Sequence, residues 1–198
     1  MSILIIGRKG DKHGADQAGN GAGFPGDRRT GNGLYPMEKA LFSPVSVARQ
    51  VVIDLLNREE ERVEMDFEAD EQAAQLMVRG DSALIRRMLE NLLNNSLRHT
   101  PSGCAMGICL RSGRLRSCVI EVWDDGRGVD DDQLRRLNRP RLDRSLPEHG
   151  LGLRLVRQIA GAHRGRARFA RSSSGGLKCT IVLPVWKKMK KAPPMDEG

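Results

Sequence analysis

Apolar residues recur every three or four positions in some stretches of the chain and alternate with polar residues in others. The first pattern is typical of an amphipathic helix and the second of a half-buried strand. With turn and capping signals added, we predict helices over 44–60, Ala83–Arg98, Asp130–Leu137 and Leu151–Ala162. Predicted strands cover Ile3–Ile6, Val63–Glu68, Leu76–Arg79, Ala105–Arg111, Ser117–Trp123, Arg166–Arg171 and Leu177–Leu183. Because strand pairs are interspersed with helices, we predict an α+β sandwich and not a doubly wound sheet.

Turn residues separate these elements. Asp81 stands where the N-cap of the second helix belongs, and Thr100-Pro101-Ser102-Gly103 ends that helix. Two predicted hairpins turn at Ser112–Arg116 and Ser172–Gly176.

The composition divides the chain into three parts. Nine of the 22 glycines lie between Gly7 and Gly33, with few apolar residues among them. Such a segment buries too little surface to offset its ordering entropy, so we predict that 1–41 is largely disordered. We expect one globular domain at 42–185 and a disordered Lys-rich tail at 186–198.

Overall charge narrows the classes of partner. The 198 residues carry 33 Lys+Arg against 25 Asp+Glu, a net charge of +8. A positively charged chain can bind a nucleotide. The sequence contains no RNA-binding motif and no aromatic residues interleaved with the basic ones, so we expect no nucleic-acid partner. No apolar run approaches the roughly 18–20 residues of a membrane span, so we expect a cytoplasmic chain without membrane contact. The four cysteines form no C-x-x-C pair, and we interpret them as reduced, mostly buried thiols.

The first candidate site lies on the second helix, in Glu90-Asn91-Leu92-Leu93-Asn94-Asn95-Ser96-Leu97-Arg98-His99-Thr100. Asn91 and Asn95 are four residues apart and share a helix face. Amides are poor helix formers, and a local cost of this kind often marks a site. Amide oxygens can coordinate Mg²⁺ together with water and phosphate. Taken alone, the pattern also fits the polar surface of a helix.

Two glycine-containing motifs follow. Asp124-Asp125-Gly126-Arg127-Gly128-Val129 comes directly after an apolar strand. A carboxylate there can accept a hydrogen bond from an exocyclic amine, and the glycines allow a ligand ring to approach. Gly150-Leu151-Gly152-Leu153 opens a helix, whose free N–H groups suit a phosphate. Each motif alone also fits an ordinary turn or helix start.

The three motifs in this order resemble the GHKL superfamily of ATP-binding domains, and within it the catalytic domain of sensor histidine kinases. Asn91–Thr100 looks like the N box, Asp124–Val129 like the G1 box and Gly150–Leu153 like the G2 box. The resemblance extends from about Phe42 to Pro184. It implies the Bergerat fold, in which a mixed sheet packs on helices, and an ATP lid at 138–149.

The resemblance also implies residue roles. Asn95 is expected to bind Mg²⁺, supported by Asn91, with Arg98 on phosphate and Asp124 on the adenine amine. The full set of expected ATP contacts is Asn91, Asn95, Arg98, His99, Asp124, Gly126, Gly128, Val129, Arg144, Gly150, Leu151, Gly152 and Leu153. Arg139, Arg141 and Arg144, in the loop before the last helix, could also reach phosphates, although surface arginines are usually just solvated.

Two features depart from the family pattern. The lid lacks the Phe-rich motif of many relatives, and no histidine stands in an acceptor-like helix. We therefore expect a mainly monomeric catalytic domain acting on a separate or missing phosphoacceptor domain, with a response regulator downstream. Asn91 occupies the position where hydrolases and anti-sigma serine kinases of the superfamily carry Glu. This favours a histidine kinase, leaving as alternatives a serine kinase or a regulatory module that binds nucleotide without phosphotransfer.

Overall fold

The computed structural model describes residues 2–6, 37–58, 64–99, 105–139 and 151–188, with the backbone alone at 2–6 and 151. Its helices are α1 (Pro44–Arg58), α2 (Ser82–His99), α3 (Asp131–Asn138) and α4 (Leu151–Ala162). Its strands are β1 (Ser2–Ile6), β2 (Ala40–Phe42), β3 (Glu64–Ala69), β4 (Leu76–Gly80), β5 (Ala105–Gly113), β6 (Ser117–Asp124), β7 (Arg166–Arg171), β8 (Leu177–Pro184) and β9 (Lys187–Lys188). A short 3₁₀ turn covers Ala73–Gln75.

Acidic side chains start two of the helices. Oδ1 of Asp81 accepts hydrogen bonds from the backbone N–H groups of Ala83 (3.0 Å) and Leu84 (3.1 Å), which confirms the predicted N-cap of α2. Asp130 forms a capping box with Gln133 at the start of α3. The helix predicted from Asp130 therefore begins one residue later, because Asp130 is its cap.

Six strands form the main sheet, in the order β1-β3-β5-β6-β8-β7. β3 and β5 run parallel and all other neighbours run antiparallel, so the sheet is mixed as expected. Since β6 lies beside β8, the end of β6 meets the start of β8, with Trp123 opposite Lys178. This pairing brings the motif after β6 next to the turn between β7 and β8.

Helices α1, α2 and α4 pack against this sheet around one hydrophobic core. The stripe predicted on α2 is buried except at Leu84, which is half-buried; its members are Leu84, Ile85, Met88, Leu89, Leu92 and Leu93. α4 contributes Val156, Ile159 and Ala160, each fully buried. The predicted α+β sandwich is confirmed. Burying one face of α2 leaves its Asn-rich face available to a ligand.

Some short elements were not predicted. β2 begins at Ala40, inside the segment expected to be disordered, and β9 lies in the expected tail; both flank β4 in a second, three-stranded sheet. Within the tail that the sequence predicts to be disordered, Lys187 and Lys188 pair with β4. The guanidinium of Arg79 lies 5.0 Å from the ring centroid of Trp186, just before that pairing. Strands of two or three residues are too short to show a period-2 pattern.

Other expectations fall partly outside the described residues. The short strand predicted at Ile3–Ile6 is confirmed as β1, whereas 7–36 and lid residues 140–149 lie outside. Three cysteines are free and buried as expected, Cys109, Cys118 and Cys179; Cys104 is not described. Within the described part of the chain, no helix is both long and apolar enough to cross a bilayer.

Candidate functional site

Asp124 is a buried carboxylate at the end of β6, with only 5% of its surface exposed. Its Oδ1 accepts hydrogen bonds from the backbone N–H groups of Gly126 and Leu177, each at 3.1 Å. Its Oδ2 accepts a hydrogen bond from the hydroxyl of Ser96, at 2.9 Å. Three donors from three segments of the chain therefore fix the direction in which this carboxylate points.

Glycines allow the loops around Asp124 to approach each other. Gly128 has a φ of +67°, and a Cβ there would clash with the carbonyl oxygen of Gly175. A Cβ at Gly176 would clash with both the backbone and the carboxylate of Asp124. The turn after β6 and the turn between β7 and β8 thus form one wall of the site, and only glycine fits at these contacts.

The Asn-rich face of α2 lies beside the first turn of α4. Nδ2 of Asn91 donates to the carbonyl oxygen of Arg87 at 2.9 Å. Its Oδ1 would lie 3.6 Å from a Cβ built on Gly152. The first and third motifs, 61 positions apart in sequence at these two residues, therefore meet in space. Asn95, one turn after Asn91 on α2, is half-buried.

The structure describes only some of the other predicted ATP contacts. Arg98 and His99 are exposed in the last turn of α2, and Val129 is half-buried in the loop before α3. Leu153 is buried in the core of the protein. Arg144 and Gly150 lie outside the described residues, and Leu151 is described only as backbone within α4.

Glu90 points to a different set of partners from those of Asn91. Its carboxylate lies 3.6 Å from the guanidinium of Arg86 and 3.9 Å from that of Arg58, on α1. Arg86 also contacts Asp54 at 2.5 Å. Hydrogen bonds from Gln50 and Arg86 lower the pKa of Asp54 below its ordinary value. The carboxylate next to the N box is thus part of an ion-pair network between α1 and α2.

The two histidines of the described residues lie in different environments. His99 is exposed at the end of α2. His163 is buried: its Nε2 accepts from the backbone N–H of Asp81 at 3.0 Å, and its Nδ1 lies 2.8 Å from the carbonyl oxygen of Ile159. This arrangement ties the end of α4 to the start of α2. His13 and His149 are not among the described residues.

Sequence reasoning missed the part that Ser96 plays. Ser96 lies four residues after Leu92 and three after Leu93, so it falls on the apolar stripe of α2. A hydroxyl on a buried stripe needs a partner. That signal was present in the sequence and could have indicated a buried hydrogen bond, although not its acceptor.

Comparison with known proteins assigns this arrangement to a family. Residues 80–187 match the family of histidine kinase-, DNA gyrase B- and HSP90-like ATPases, over half of the chain. The chain belongs to this family. All three motifs and the Ser96–Asp124 contact lie within the matched ATPase region.

Several curated members of this ATPase family are similar in sequence. The signal transduction histidine-protein kinase BaeS of Escherichia coli K12 is 33% identical over 122 residues, which cover 59% of this chain and 26% of BaeS. The sensor histidine kinase CusS of Escherichia coli O157:H7 is 33% identical over 162 residues, covering 77% of this chain and 32% of CusS. The chain thus spans about a quarter to a third of the length of these relatives.

Solved structures share the ATPase-family fold. The mycobacterial sensor histidine kinase MprB superposes with a TM-score of 0.63 at 24% identity, covering 76% of this chain and 99% of that one. The catalytic domain of histidine kinase ThkA gives a TM-score of 0.62 at 21% identity, covering 78% and 100%. The described fold is therefore that of a histidine kinase catalytic domain.

Proposed function

We propose that the chain is an ATP-binding catalytic domain that transfers the γ-phosphate of ATP to a histidine on a separate phosphoacceptor domain. The observation that carries this proposal is the convergence of Asp124, the Asn-rich face of α2 and the first turn of α4. The names of the relatives, which are sensor histidine kinases, support the choice of acceptor.

Asp124 is suited to recognise the adenine amine. An ionised carboxylate offers about four acceptor positions. Donors from Gly126, Leu177 and Ser96 use three of them within the described residues. One position is then left for the N–H of an exocyclic amine. An amino group satisfies it, whereas the carbonyl of guanine at the corresponding position cannot donate.

The phosphate end of the nucleotide fits the junction of α2 and α4. N–H groups in the first turn of a helix have no intrahelical acceptor and favour anions. Gly152 leaves that turn of α4 without a side chain next to Asn91. Arg98 is exposed at the end of α2, the helix that carries Asn91, and supplies a positive charge there. These groups orient the phosphates.

Mg²⁺ is the metal that this donor set fits. The amide oxygen of Asn95 is a hard ligand, and Mg²⁺ in such sites usually takes only one or two protein ligands beside water and phosphates. We assign Asn95 as that ligand, with Asn91 one turn earlier supporting the metal or the phosphates. When bound, the ion neutralises charge on the phosphate oxygens.

The residues next to the phosphates favour a histidine acceptor. Asn91 cannot remove a proton, and Glu90 is paired with Arg86 and Arg58. Water and serine need a base, whereas a neutral imidazole is nucleophilic near neutral pH. In the proposed step, an imidazole nitrogen forms a bond to the γ-phosphorus while the bond to the bridging oxygen of ADP breaks. The phosphohistidine is then the phosphoryl donor for a response regulator.

A transfer assay tests this function. The chain is incubated with γ-labelled ATP, Mg²⁺ and a purified phosphoacceptor domain from a sensor histidine kinase. We expect acid-labile label on that domain and almost none on the chain itself. Acid-stable label on serine would support the serine kinase instead. Nucleotide binding without transfer to a panel of acceptor domains would support a regulatory module.

A further inference from the structure

Arg157 joins α4 to the end of α3. It is half-buried on α4, and its Nη1 donates hydrogen bonds to the carbonyl oxygens of Leu137, at 2.9 Å, and of Arg139. The last carbonyl groups of a helix have no intrahelical donor, and a cation there also interacts favourably with the helix dipole. Arg157 therefore caps the C-terminus of α3 from another helix.

A second polar anchor holds the same turn. Nδ2 of Asn138 donates to the carbonyl oxygen of Phe169 at 2.8 Å, and its Oδ1 accepts from the N–H of Phe169 at 3.0 Å. Phe169 belongs to β7, the edge strand of the main sheet, and so has backbone groups to offer on that side. α3 has no fully buried residue. Leu134 and Leu137 are half-buried against the core, so the position of α3 depends on these anchors as well as on core packing.

Arg157 itself is held in place relative to the candidate site. Its neighbour Val156 is fully buried, as is Ile159. The same helix carries Gly152 beside Asn91. A rigid α4 thus contacts the N box at its first turn and the end of α3 one turn later.

We propose that Arg157 is a positioning residue. By binding the carbonyl oxygens of Leu137 and Arg139, it fixes the backbone at the end of α3 and thereby the position of the Arg139 side chain. Arg139 is exposed and is one of three arginines in this segment whose side chains could reach a phosphate. Arg157 does not touch the nucleotide: it acts by fixing Arg139 relative to the first turn of α4. The inference rests on the proposed function, because it assumes that ATP phosphates bind at that turn.

The test compares two ligands in each variant of the full chain. Affinity for a non-hydrolysable ATP analogue with Mg²⁺ is measured by calorimetry, and affinity for adenosine by NMR titration. The ratio of the two reports on the phosphate end alone, since partial unfolding lowers both apparent affinities equally. The variants are Arg157→Met, the charge-retaining Arg157→Lys, and Arg168→Met as a charge-matched control on the exposed side of β7.

We expect Arg157→Met to lower the ratio by about fivefold to tenfold, since a charged donor to two carbonyl groups is lost. Adenosine affinity should stay unchanged, Arg157→Lys should give an intermediate ratio, and Arg168→Met should match the wild type. A wild-type ratio in Arg157→Met, or an equal fall in Arg168→Met, would overturn the inference while leaving the proposed function intact. Absence of ATP binding by the wild type would overturn the proposed function and this role with it.

Discussion

The hydroxyl of Ser96 on α2 lies 2.9 Å from Oδ2 of Asp124 on β6, and both residues are buried. This hydrogen bond joins the helix of the first motif to the strand end of the second. It couples the part of the site that we assign to metal and phosphate to the part that we assign to adenine.

Replacing Ser96 with Ala should weaken adenine-nucleotide binding by about threefold to tenfold, because the buried carboxylate loses one of its donors. Calorimetric titration of the ATP analogue measures the change. Ser82→Ala, at the exposed start of α2, provides the control and should bind as the wild type does. Equal affinity in Ser96→Ala and the wild type would show that the hydroxyl does not orient Asp124.

Gly152→Ala should separate stability from binding. A Cβ there would lie at an ordinary contact distance of 3.6 Å from Asn91, and Ala favours a helix over Gly by about 1 kcal/mol. The fold should therefore be unharmed, while the methyl group intrudes on the proposed phosphate site and weakens ATP binding. Thermal unfolding and ATP titration measure the two effects.

Gly161→Ala is the matched control, on the same helix, where a Cβ would meet nothing within 4 Å. It should preserve or raise stability, because the same helix preference applies, and it should leave ATP affinity unchanged. If Gly152→Ala binds ATP as tightly as Gly161→Ala does, phosphate does not approach the first turn of α4.

Glu90→Gln should leave the rate of ATP hydrolysis unchanged and very low. The carboxylate is paired with Arg86 and Arg58, so it is not placed to activate water. A phosphate-release assay with saturating ATP checks this. A clear loss of hydrolysis in the variant would identify Glu90 as a base and favour the hydrolase branch of the family.

Stability should fall at alkaline pH because of two buried thiols. Burial raises the pKa of Cys118 and of Cys179 from an ordinary 9.0 to about 12. Thiols in the unfolded chain ionise first, so the stability that these groups give is complete below about pH 9 and is lost as the pH rises towards 12. Urea unfolding at about pH 8 and pH 10.5 should show a smaller loss in Cys118→Ala/Cys179→Ala than in the wild type. An identical loss would contradict these pKa values.

Periodicity predicted the long elements because each has a buried face. The stripe from Ile85 to Leu93 and the start at Asp81 identified α2 to within a residue or two. β9, with two residues, is held by pairing with β4 and has no pattern of its own. Whether such a short strand forms depends only on its tertiary contacts.

The candidate site could be predicted in part, because some of its residues lie in local sequence motifs. Asn91, Asp124 and Gly152 stand in recognisable local motifs, so the sequence indicated which segments carry the chemistry. It did not indicate that Arg157 would cap α3, because that contact depends on how α4 packs beside a helix 20 residues earlier in the chain. Contacts of this kind, between distant segments of one chain, follow no regular spacing in the sequence.

The central claim, that Asp124 is the adenine-binding carboxylate, is tested most directly by calorimetric titration of the wild type, Asp124→Asn and Asp125→Asn with the ATP analogue and Mg²⁺. Asp125 is a matched control: it carries the same charge one residue later, and its Oδ1 is buried without a hydrogen-bond partner among the described residues. We predict a loss of at least about tenfold in Asp124→Asn, since an amide presents fewer acceptor positions to the donors and the adenine amine, and wild-type affinity in Asp125→Asn. Equal affinity in Asp124→Asn and the wild type would contradict the account.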